Sequence, residues 1–238
     1  MKKKIIVTGG SGRFGKILKE QNFKNFIFPN KRQLNILKCS NIENYLKKKR
    51  PKFLIHLAGL SRPLAKHEKN ISESINLNII GTCNLVKICE KFKIKLIYFS
   101  TSYVYPGKKG NYKETDPLLP INNYAWSKLG GEAAVQMYKN SLIIRACMTE
   151  KPFIHKEAFY DVKLNFIFHE DVISIMTKIL NKRGIINLGG PTQSVYNFAK
   201  KYNKKVKKIS VKKLKNLNFP TNASMNLNKL KKLLKKRT

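Results

Sequence analysis

A tyrosine and a lysine that lie one helical turn apart can share a face and carry out proton chemistry on a carbonyl group. Four stretches of this chain have the spacing Tyr-x-x-x-Lys, and they begin at Tyr45, Tyr105, Tyr124 and Tyr196. Because the chain contains 42 lysines in 238 residues, such matches arise by chance. The surrounding sequence must therefore show which pair, if any, is catalytic.

A glycine-rich stretch near the start of the chain, TGGSGRFG, lies between a predicted strand at residues 3–8 and a predicted helix that opens at residue 14. Its glycines permit a tight turn, a close approach of backbone N–H groups to a pyrophosphate, and close packing of the helix on the sheet. The helix N-terminus would present its partial positive charge to the phosphates. This placement favours dinucleotide binding over a purely structural turn. The cofactor contacts expected in this loop are Gly9, Gly12, Arg13, Phe14 and Gly15.

The end of the second predicted strand indicates which dinucleotide is bound. An NAD-preferring site usually carries an acid there, which accepts hydrogen bonds from the ribose hydroxyls. This region reads PNKRQLNI and has no acid, whereas Lys31 and Arg32 suit the additional 2′-phosphate of NADP. In so lysine-rich a chain, both could instead be ordinary surface cations. NADP is therefore the preferred cofactor and NAD the alternative.

Strand and helix patterns alternate through the first part of the chain. Predicted strands lie at residues 3–8, 23–28, 53–58, 95–99 and 142–145, and predicted helices at 42–49, 75–92 and 123–138. This alternation predicts an α/β fold of the Rossmann type, with a doubly wound parallel sheet covered on both faces. Residues 1–145 would form this domain. Residues 146–238 would form a small α/β substrate-binding annex, parts of which pack back on the first domain.

The charge of the chain is extreme. Its formal net charge is +36, and no acidic residue follows Asp171. A nucleic-acid or membrane-surface partner would explain this charge. However, Lys outnumbers Arg by 42 to 7, whereas a surface that reads phosphates would favour arginine. A compositional bias toward AT-rich codons is therefore the preferred explanation, and no specific nucleic-acid partner is expected.

The remaining composition indicates a folded protein of the cytosol. Hydrophobic residues make up 42% of the chain, no apolar run could span a bilayer, and the start of the chain does not read as a secretory signal. The four cysteines form no CxxC pair and have no companion histidine spacing, so no metal site is expected.

The context separates the four Tyr-x-x-x-Lys matches. Tyr105 is followed by Pro and Gly, which disfavour a helix. The helix of Tyr45 would cover a sheet face far from the strand ends that hold ligands, and Tyr196 lies in the annex. Only Tyr124 opens a predicted helix shortly after a cluster of hydroxyl side chains at residues 100–102.

With these motifs in order, the chain resembles the extended short-chain dehydrogenase/reductases that modify nucleotide sugars. The motifs that carry the resemblance are the glycine loop, HLAG at 56–59, NIIGT at 78–82, STSYVYPG at 100–107, ETDPLLPINNYAWSKLGGE at 114–132 and FHEDV at 168–172. Several of them most resemble nucleotide-sugar 4-ketoreductases of the dTDP-4-dehydrorhamnose reductase type. The resemblance covers the first 145 residues well and weakens through the annex.

The resemblance implies a catalytic set of Thr101, Tyr124 and Lys128. Tyr124 would protonate the carbonyl oxygen after hydride delivery, and Lys128 would favour the tyrosinate and bind the nicotinamide ribose. Thr101 would orient the carbonyl, although a strand-end hydroxyl can also satisfy a local backbone group. Besides the glycine loop, Lys31 and Arg32, and the two catalytic residues Tyr124 and Lys128, the implied cofactor contacts are Asn35, Ile36, Leu57, Ala58, Gly59, Asn78 and Ser100.

The substrate candidates are Arg62, Ser102, Tyr103 and Arg145. Both arginines could bind a diphosphate, but Arg145 follows an apolar strand and could equally make a structural pair. Related dehydratases place an Asp-Glu pair directly after the catalytic threonine. The Ser102–Tyr103 pair found here disfavours dehydration.

The resemblance predicts an NAD(P)H-dependent reductase that acts on a nucleotide-linked keto-deoxysugar in surface-polysaccharide or deoxysugar biosynthesis. A homodimer is expected, because family members dimerise through the helix of Tyr124 and the one at 82–91, and two adjacent glycines at 130–131 suggest close helix packing. The alternatives are a nucleotide-sugar epimerase that uses the same three residues, and a non-catalytic nucleotide- or nucleic-acid-binding Rossmann module.

Overall fold

A computed structural model describes residues 3–213 and 218–235 of the chain. Within them the strands are β1 Ile5–Thr8, β2 Phe26–Ile27, β3 Phe53–His56, β4 Lys95–Thr101, β5 Ser141–Ala146, β6 Met148–Thr149, β7 Glu157–Phe159, β8 Lys163–Leu164, β9 Ile167–Phe168, β10 Gly184–Leu188, β11 Gln193–Ser194 and β12 Lys207–Ile209. The α-helices are α1 Arg13–Glu20, α2 Cys39–Lys49, α3 Leu64–Lys69, α4 Ile71–Ser74, α5 Gly81–Lys91, α6 Asn123–Gln136, α7 His169–Ile179, α8 Val195–Tyr202 and α9 Asn228–Lys235.

The main sheet contains six parallel strands in the order β10-β5-β4-β3-β1-β2. Every residue of its four central strands is buried. Their sequences (IIVT, FLIH, KLIYFST and SLIIRA) are rich in β-branched and aromatic residues, which suits strands that are covered on both faces. The predicted Rossmann-type α/β fold with a parallel sheet is confirmed.

Helices cover both faces of this sheet. One hydrophobic cluster contains Leu46 of α2, Leu85 of α5 and Val135 of α6. The cluster on the opposite face contains Leu18 of α1 and Met176 of α7. The two layers hold the strands in register, so that the carboxyl ends of β1, β3, β4 and β5 lie along one edge.

The residues after 145 contribute to both parts of the fold. Strand β10 pairs with β5 in the main sheet, and α7 and α9 pack on the main core. The remainder joins residues 104–112 in a third hydrophobic cluster, with short strand pairs β7–β12, β8–β11 and β6–β9. This cluster includes Val104 and Cys147, which follow the ends of β4 and β5, so the annex lies beyond the carboxyl edge of the sheet.

Two helices differ from the sequence expectation. The position of Asp171 in FHEDV favours a helix cap over a catalytic acid, but α7 begins at His169, so Asp171 lies in its first turn and is not its cap. An acid there still complements the helix dipole. The helix expected at 75–92 contains a π-helical segment, Ile75–Ile80, before α5. The final stretch of the sequence, KLKKLLKKRT, predicts a basic amphipathic helix end, and its last residues, 236–238, lie outside the described residues. No helix in the described part of the chain is long and apolar enough to cross a membrane.

Helix α6 approaches the π-helical segment very closely. A Cβ on Gly131 would lie 2.4 Å from the backbone oxygen of Asn78 and 2.8 Å from the Tyr98 hydroxyl. A Cβ on Gly130 would lie 2.7 Å from the tip of the Ile79 side chain. The expectation that these glycines allow close helix packing is confirmed for the contact between α6 and the π-helical segment of the same chain.

We predict that Gly131→Ala lowers the free energy of unfolding by at least about 1 kcal/mol, because overpacking against fixed backbone costs roughly 1–3 kcal/mol. Gly130→Ala is the matched control. Here the new Cβ meets Cδ1 and Cγ1 of the Ile79 side chain rather than backbone, and alanine favours the helix by about 1 kcal/mol, so this variant should lose clearly less stability than Gly131→Ala. Urea unfolding followed by circular dichroism measures both. Equal stability of the two variants would contradict the packing described here.

Candidate active site

A cavity of about 870 Å³ opens at the carboxyl edge of the main sheet, between the Rossmann core and the annex. Ligands of open α/β sheets bind in this position. The residues predicted from the sequence that line it are Gly9, Gly12, Arg13, Phe14, Gly15, Leu57, Ala58, Gly59, Arg62, Ser100, Thr101, Ser102, Tyr103, Tyr124 and Lys128. Of the four Tyr-x-x-x-Lys matches, only the one at Tyr124 lines this cavity within the described chain.

The glycine loop leads from β1 into α1 at one end of the cavity. Gly9 has a positive φ of +75°, and a Cβ there would lie 2.5 Å from the backbone nitrogen of Ala58. The N–H of Gly12 donates to the carbonyl of Gly9 at 3.0 Å, which closes the turn. The first turn of α1 carries no acid of its own, and the helix presents its partial positive end to the cavity.

Thr101 ends strand β4, and Tyr124 opens helix α6. The side chain of Asn122 caps this helix by accepting a hydrogen bond from the N–H of Ala125 at 2.9 Å. Burial raises the pKa of the Tyr124 phenol, while hydrogen bonding with the Thr101 hydroxyl and the charge of Arg62 oppose that shift. The phenol is therefore protonated at neutral pH and can act as a proton donor.

Lys128 lies one turn further along the same face of α6. Burial lowers the pKa of its ammonium to about 7, and the carboxylate of Glu132 opposes this shift. Its Nζ atom lies 4.1 Å from the centre of the Tyr98 ring. Lys128 therefore changes charge near neutral pH, unlike an ordinary surface lysine.

Sequence reasoning missed two buried histidines near this pair. The ring of His67 packs edge-on against Tyr124, with 5.1 Å between ring centres, and its Nδ1 is hydrogen-bonded with the Ser74 hydroxyl at 2.9 Å. His56 lies between two threonine hydroxyls, and burial lowers its pKa to about 3. The HLAG motif marked the position of His56 but not its role. His67 has no sequence signal, because only tertiary packing brings it to Tyr124.

A carboxylate bridges two arginines in the cavity wall. Oε1 of Glu150 lies 3.1 Å from Nε of Arg13, and Oε2 lies 3.3 Å from Nη1 of Arg62. Burial raises the pKa of Glu150, but Arg62 and Arg13 outweigh that effect and hold it below its usual value. The sequence identified both arginines but gave no indication of Glu150.

Arg145 lies outside the cavity lining, which corrects its assignment as a substrate ligand. It is fully buried, and its Nη2 lies 2.6 Å from Oε1 of Glu132. Its Nη1 donates to the hydroxyl of Tyr105 at 2.8 Å and to the carbonyl of Glu114 at 3.1 Å. The structural pairing left open by the sequence is therefore the correct interpretation, since the guanidinium has protein partners on both sides.

Asn78 lies behind the cavity wall and does not line it. Its Oδ1 accepts from the N–H of Leu60 at 2.8 Å, and its Nδ2 donates to the carbonyl of Leu60 at 2.9 Å and to the Ser127 hydroxyl at 2.8 Å. It therefore fixes the loop after β3 against helix α6.

The residues expected to select the cofactor lie apart from the main cavity. A second groove, of about 550 Å³, is lined by Lys31, Arg32, Asn35, Lys38 and Asn41. Lys31 and Arg32 are exposed. Ile36 lines neither space and is buried in the core, next to Gly81.

The buried Glu132–Arg145 pair yields a stability prediction. Glu132→Gln and Arg145→Met should each cost about 3–5 kcal/mol, because each leaves a buried charge unpaired. The double variant should recover much of that loss, since no charge remains. Thermal unfolding measures all three. The exposed Glu43–Lys91 pair is the control, and Glu43→Gln should cost less than about 1 kcal/mol. If the two losses simply add in the double variant, the coupling described here does not exist.

Comparison with known proteins finds a family model and curated relatives whose sequences match this chain. The family model described as RmlD substrate binding domain matches residues 2–161. Methionine adenosyltransferase 2 subunit beta from Pongo abelii is 27% identical over 144 residues, which cover 56% of this chain and 42% of that protein. A dTDP-4-dehydrorhamnose reductase from Aggregatibacter actinomycetemcomitans is 23% identical over 197 residues, which cover 80% and 63%. The chain thus spans less than half the length of the first of these curated relatives.

Solved structures share the fold. A dTDP-4-dehydrorhamnose reductase from Bacillus anthracis, in complex with NADP, superposes with a TM-score of 0.86 at 23% identity, and the match covers 97% of this chain and 91% of that one. The Bordetella bronchiseptica enzyme WbmG, in complex with NAD and UDP, superposes with a TM-score of 0.73 at 17% identity, covering 96% and 85%. Because the family model matches two thirds of the sequence, the chain belongs to the RmlD substrate binding domain family.

Proposed function

We propose that this chain is an NAD(P)H-dependent reductase of a nucleotide-linked keto-deoxysugar, of the 4-ketoreductase type, in surface-polysaccharide or deoxysugar biosynthesis. The observation that carries the proposal is that Thr101, Tyr124 and Lys128 line the same cavity as the glycine loop. The similarity to dTDP-4-dehydrorhamnose reductases, one of them solved with NADP, supports it.

The residues around the glycine loop fit a dinucleotide. Gly9 and Gly15 leave no room for a side chain, so backbone N–H groups are free to approach a phosphate. The buried hydroxyl of Ser100 lines the cavity and has no hydrogen-bond partner among the described residues. When bound, a reduced nicotinamide would supply the hydride.

Each catalytic residue has a defined task in this proposal. Tyr124 donates its proton to the carbonyl oxygen of the substrate as negative charge develops there. The ammonium of Lys128, when charged, favours the tyrosinate that remains. The Thr101 hydroxyl donates a hydrogen bond to the same oxygen and fixes its position.

The cavity wall argues against the dehydration reaction. Its lining carries two carboxylates within the described chain, Glu150 and Glu157. Glu150 is held by two arginines and Glu157 is exposed on β7. The residues after Thr101 are Ser102 and Tyr103, and burial raises the pKa of the Tyr103 phenol, so neither supplies a base for removal of water.

We predict that Tyr124→Phe reduces turnover roughly 1,000-fold, because loss of a general acid typically costs 10²–10⁴-fold. Binding of NADPH, measured by its fluorescence, should be retained. Turnover is followed as NADPH absorbance loss with a panel of keto-sugar nucleotides, and product masses identify the reduced sugar. Tyr45→Phe and Tyr196→Phe are the matched controls and should keep wild-type turnover. Unchanged turnover in Tyr124→Phe would refute the assignment.

A nucleotide-sugar epimerase is the nearest alternative, since it uses the same three residues. The same panel separates the two activities. A reductase consumes NADPH in proportion to product, whereas an epimerase retains its cofactor and interconverts sugars without net NADPH loss. Tightly retained NAD after purification, together with no net NADPH consumption, would overturn the reductase proposal.

Lys31 and Arg32 provide the basis for the cofactor preference. We predict that Lys31→Ala/Arg32→Ala lowers the ratio of NADPH to NADH affinity about tenfold, or about 1.4 kcal/mol, because these exposed cations would bind the 2′-phosphate. Titration of both cofactors measures the ratio. Lys47→Ala/Lys48→Ala removes two exposed charges from α2 and should leave it unchanged. If both double variants shift the ratio equally, general charge rather than a specific contact determines the preference.

A second candidate function is that of a nucleotide-binding subunit. Its support is the similarity to methionine adenosyltransferase 2 subunit beta, whose name describes part of another enzyme. Binding of NADPH without turnover of any keto-sugar nucleotide would favour this alternative. The +36 charge permits binding to RNA that weakens as salt rises, so only binding that resists salt would instead favour a nucleic-acid-binding module.

We further propose that the chain forms a homodimer through α6 and the helix expected at 82–91, which is α5. Trp126 on α6 is 49% exposed and Ile80, directly before α5, is 43% exposed, so both elements offer an apolar side chain to a partner. Light scattering would show a mass of one chain if this proposal is wrong.

We also propose a cytosolic location, because the four cysteines are free, as in a reducing compartment. Fractionation of cells would test it.

A further inference from the structure

The charge of Lys128 is stabilised in an unusual way. Within the described residues its ammonium forms no ion pair, and Glu132, one turn further along α6, is occupied by Arg145 at 2.6 Å. The close contact made by Nζ is with the face of the Tyr98 ring, 4.1 Å from the ring centre. This distance is well within the range of a cation–π interaction, which strengthens when water is excluded.

Tyr98 also holds the backbone of the same lysine. It lies in the middle of β4, is 1% exposed, and its hydroxyl donates a hydrogen bond to the carbonyl oxygen of Lys128 at 3.0 Å. Strand β4 also ends in Thr101. One rigid strand therefore positions Thr101 directly and Lys128 through Tyr98.

We propose that Tyr98 is a positioning residue for Lys128, and that its ring holds the ammonium in place and stabilises the charged form. The catalytic meaning of this role rests on the proposed reductase function. An aromatic ring suits the role because it carries no net charge. A carboxylate at this place would cancel the field that Lys128 exerts on Tyr124, whereas a ring leaves that field intact.

The other groups around Lys128 do not replace this contact. His56 approaches from β3, but its pKa of about 3 leaves it neutral in the physiological range. Tyr124 and Glu132 lie on α6 itself, and the phenol of Tyr124 is protonated. Cys83 approaches Tyr98 from α5. Glu132 remains the one negative charge nearby in the described chain, and it is shared with Arg145.

The test measures the titration of Lys128 in the protein alone. Acetylation with limiting acetic anhydride at graded pH, read for the peptide that contains Lys128 by mass spectrometry, gives the midpoint at which the amine loses its proton. We expect a midpoint near pH 7 in the wild type. Tyr98→Leu, which removes the ring, should lower the midpoint by about one pH unit, equivalent to about 1.4 kcal/mol. Tyr98→Phe, which keeps the ring face, should lie close to the wild type.

A second series covers the case in which Tyr98→Leu does not fold. Phenylalanines with one, two and three ring fluorines at position 98 keep the shape but weaken the negative face of the ring. The midpoint should fall stepwise along this series. A midpoint that stays constant, either in folded Tyr98→Leu or across the fluorinated series, would overturn the proposal.

Turnover then separates this role from the proposed function. If the function is correct, Tyr98→Leu should lower kcat more than it changes KM, and the alkaline limb of the pH profile should shift with the midpoint. If the wild type reduces no keto-sugar nucleotide while the acetylation midpoint still falls, the Tyr98 role stands and the proposed function fails. If the wild type turns over a keto-sugar nucleotide but the acetylation midpoint does not move in the Tyr98 variants, the proposed function stands and the Tyr98 role fails.

Discussion

The close approach of α6 to β4 and the π-helical segment is the constraint on which the candidate site depends. Gly131 allows it, because any side chain there would meet the backbone of Asn78 and the Tyr98 hydroxyl. At this separation the carbonyl of Lys128 reaches that hydroxyl, and its ammonium reaches the ring below. The first turn of the same helix then brings Tyr124 to Thr101. A wider separation of a few tenths of an ångström would loosen all of these contacts together.

The buried Glu132–Arg145 pair fixes the same helix from its other end. It joins α6 to β5, and Tyr105 extends the network to β10 through Asn187. A buried ion pair is costly to desolvate and adds little net stability, but it tolerates few alternative arrangements. We interpret it as a contact that sets the register of α6 against the sheet, and hence the position of the face that carries Tyr124 and Lys128.

Much of this arrangement could be predicted from the sequence. The places of the main parallel strands and of the glycine loop followed from apolar runs and turn residues, although the strand expected at 23–28 is only Phe26–Ile27. Local order also selected Tyr124, which lines the cavity, but its catalytic role stays a prediction. What could not be predicted depends on contacts between distant segments. The partner of Arg145, the approach of His67 to Tyr124, and the Glu150 bridge join residues that are 13 to 137 positions apart, and no local pattern encodes them. The π-helical segment was also missed, because a helix pattern does not distinguish its hydrogen-bond spacing.

The Glu150 bridge gives the cavity wall an anion of its own. Its carboxylate already occupies the two arginines that a phosphate group would use, one from the glycine loop and one from the loop after β3. An anionic ligand that bound these arginines would therefore displace this carboxylate rather than simply add to the site. Because Glu150 follows β6, where the annex begins, its bridge to Arg13 also ties the annex to the glycine loop, so displacing the carboxylate would loosen that connection.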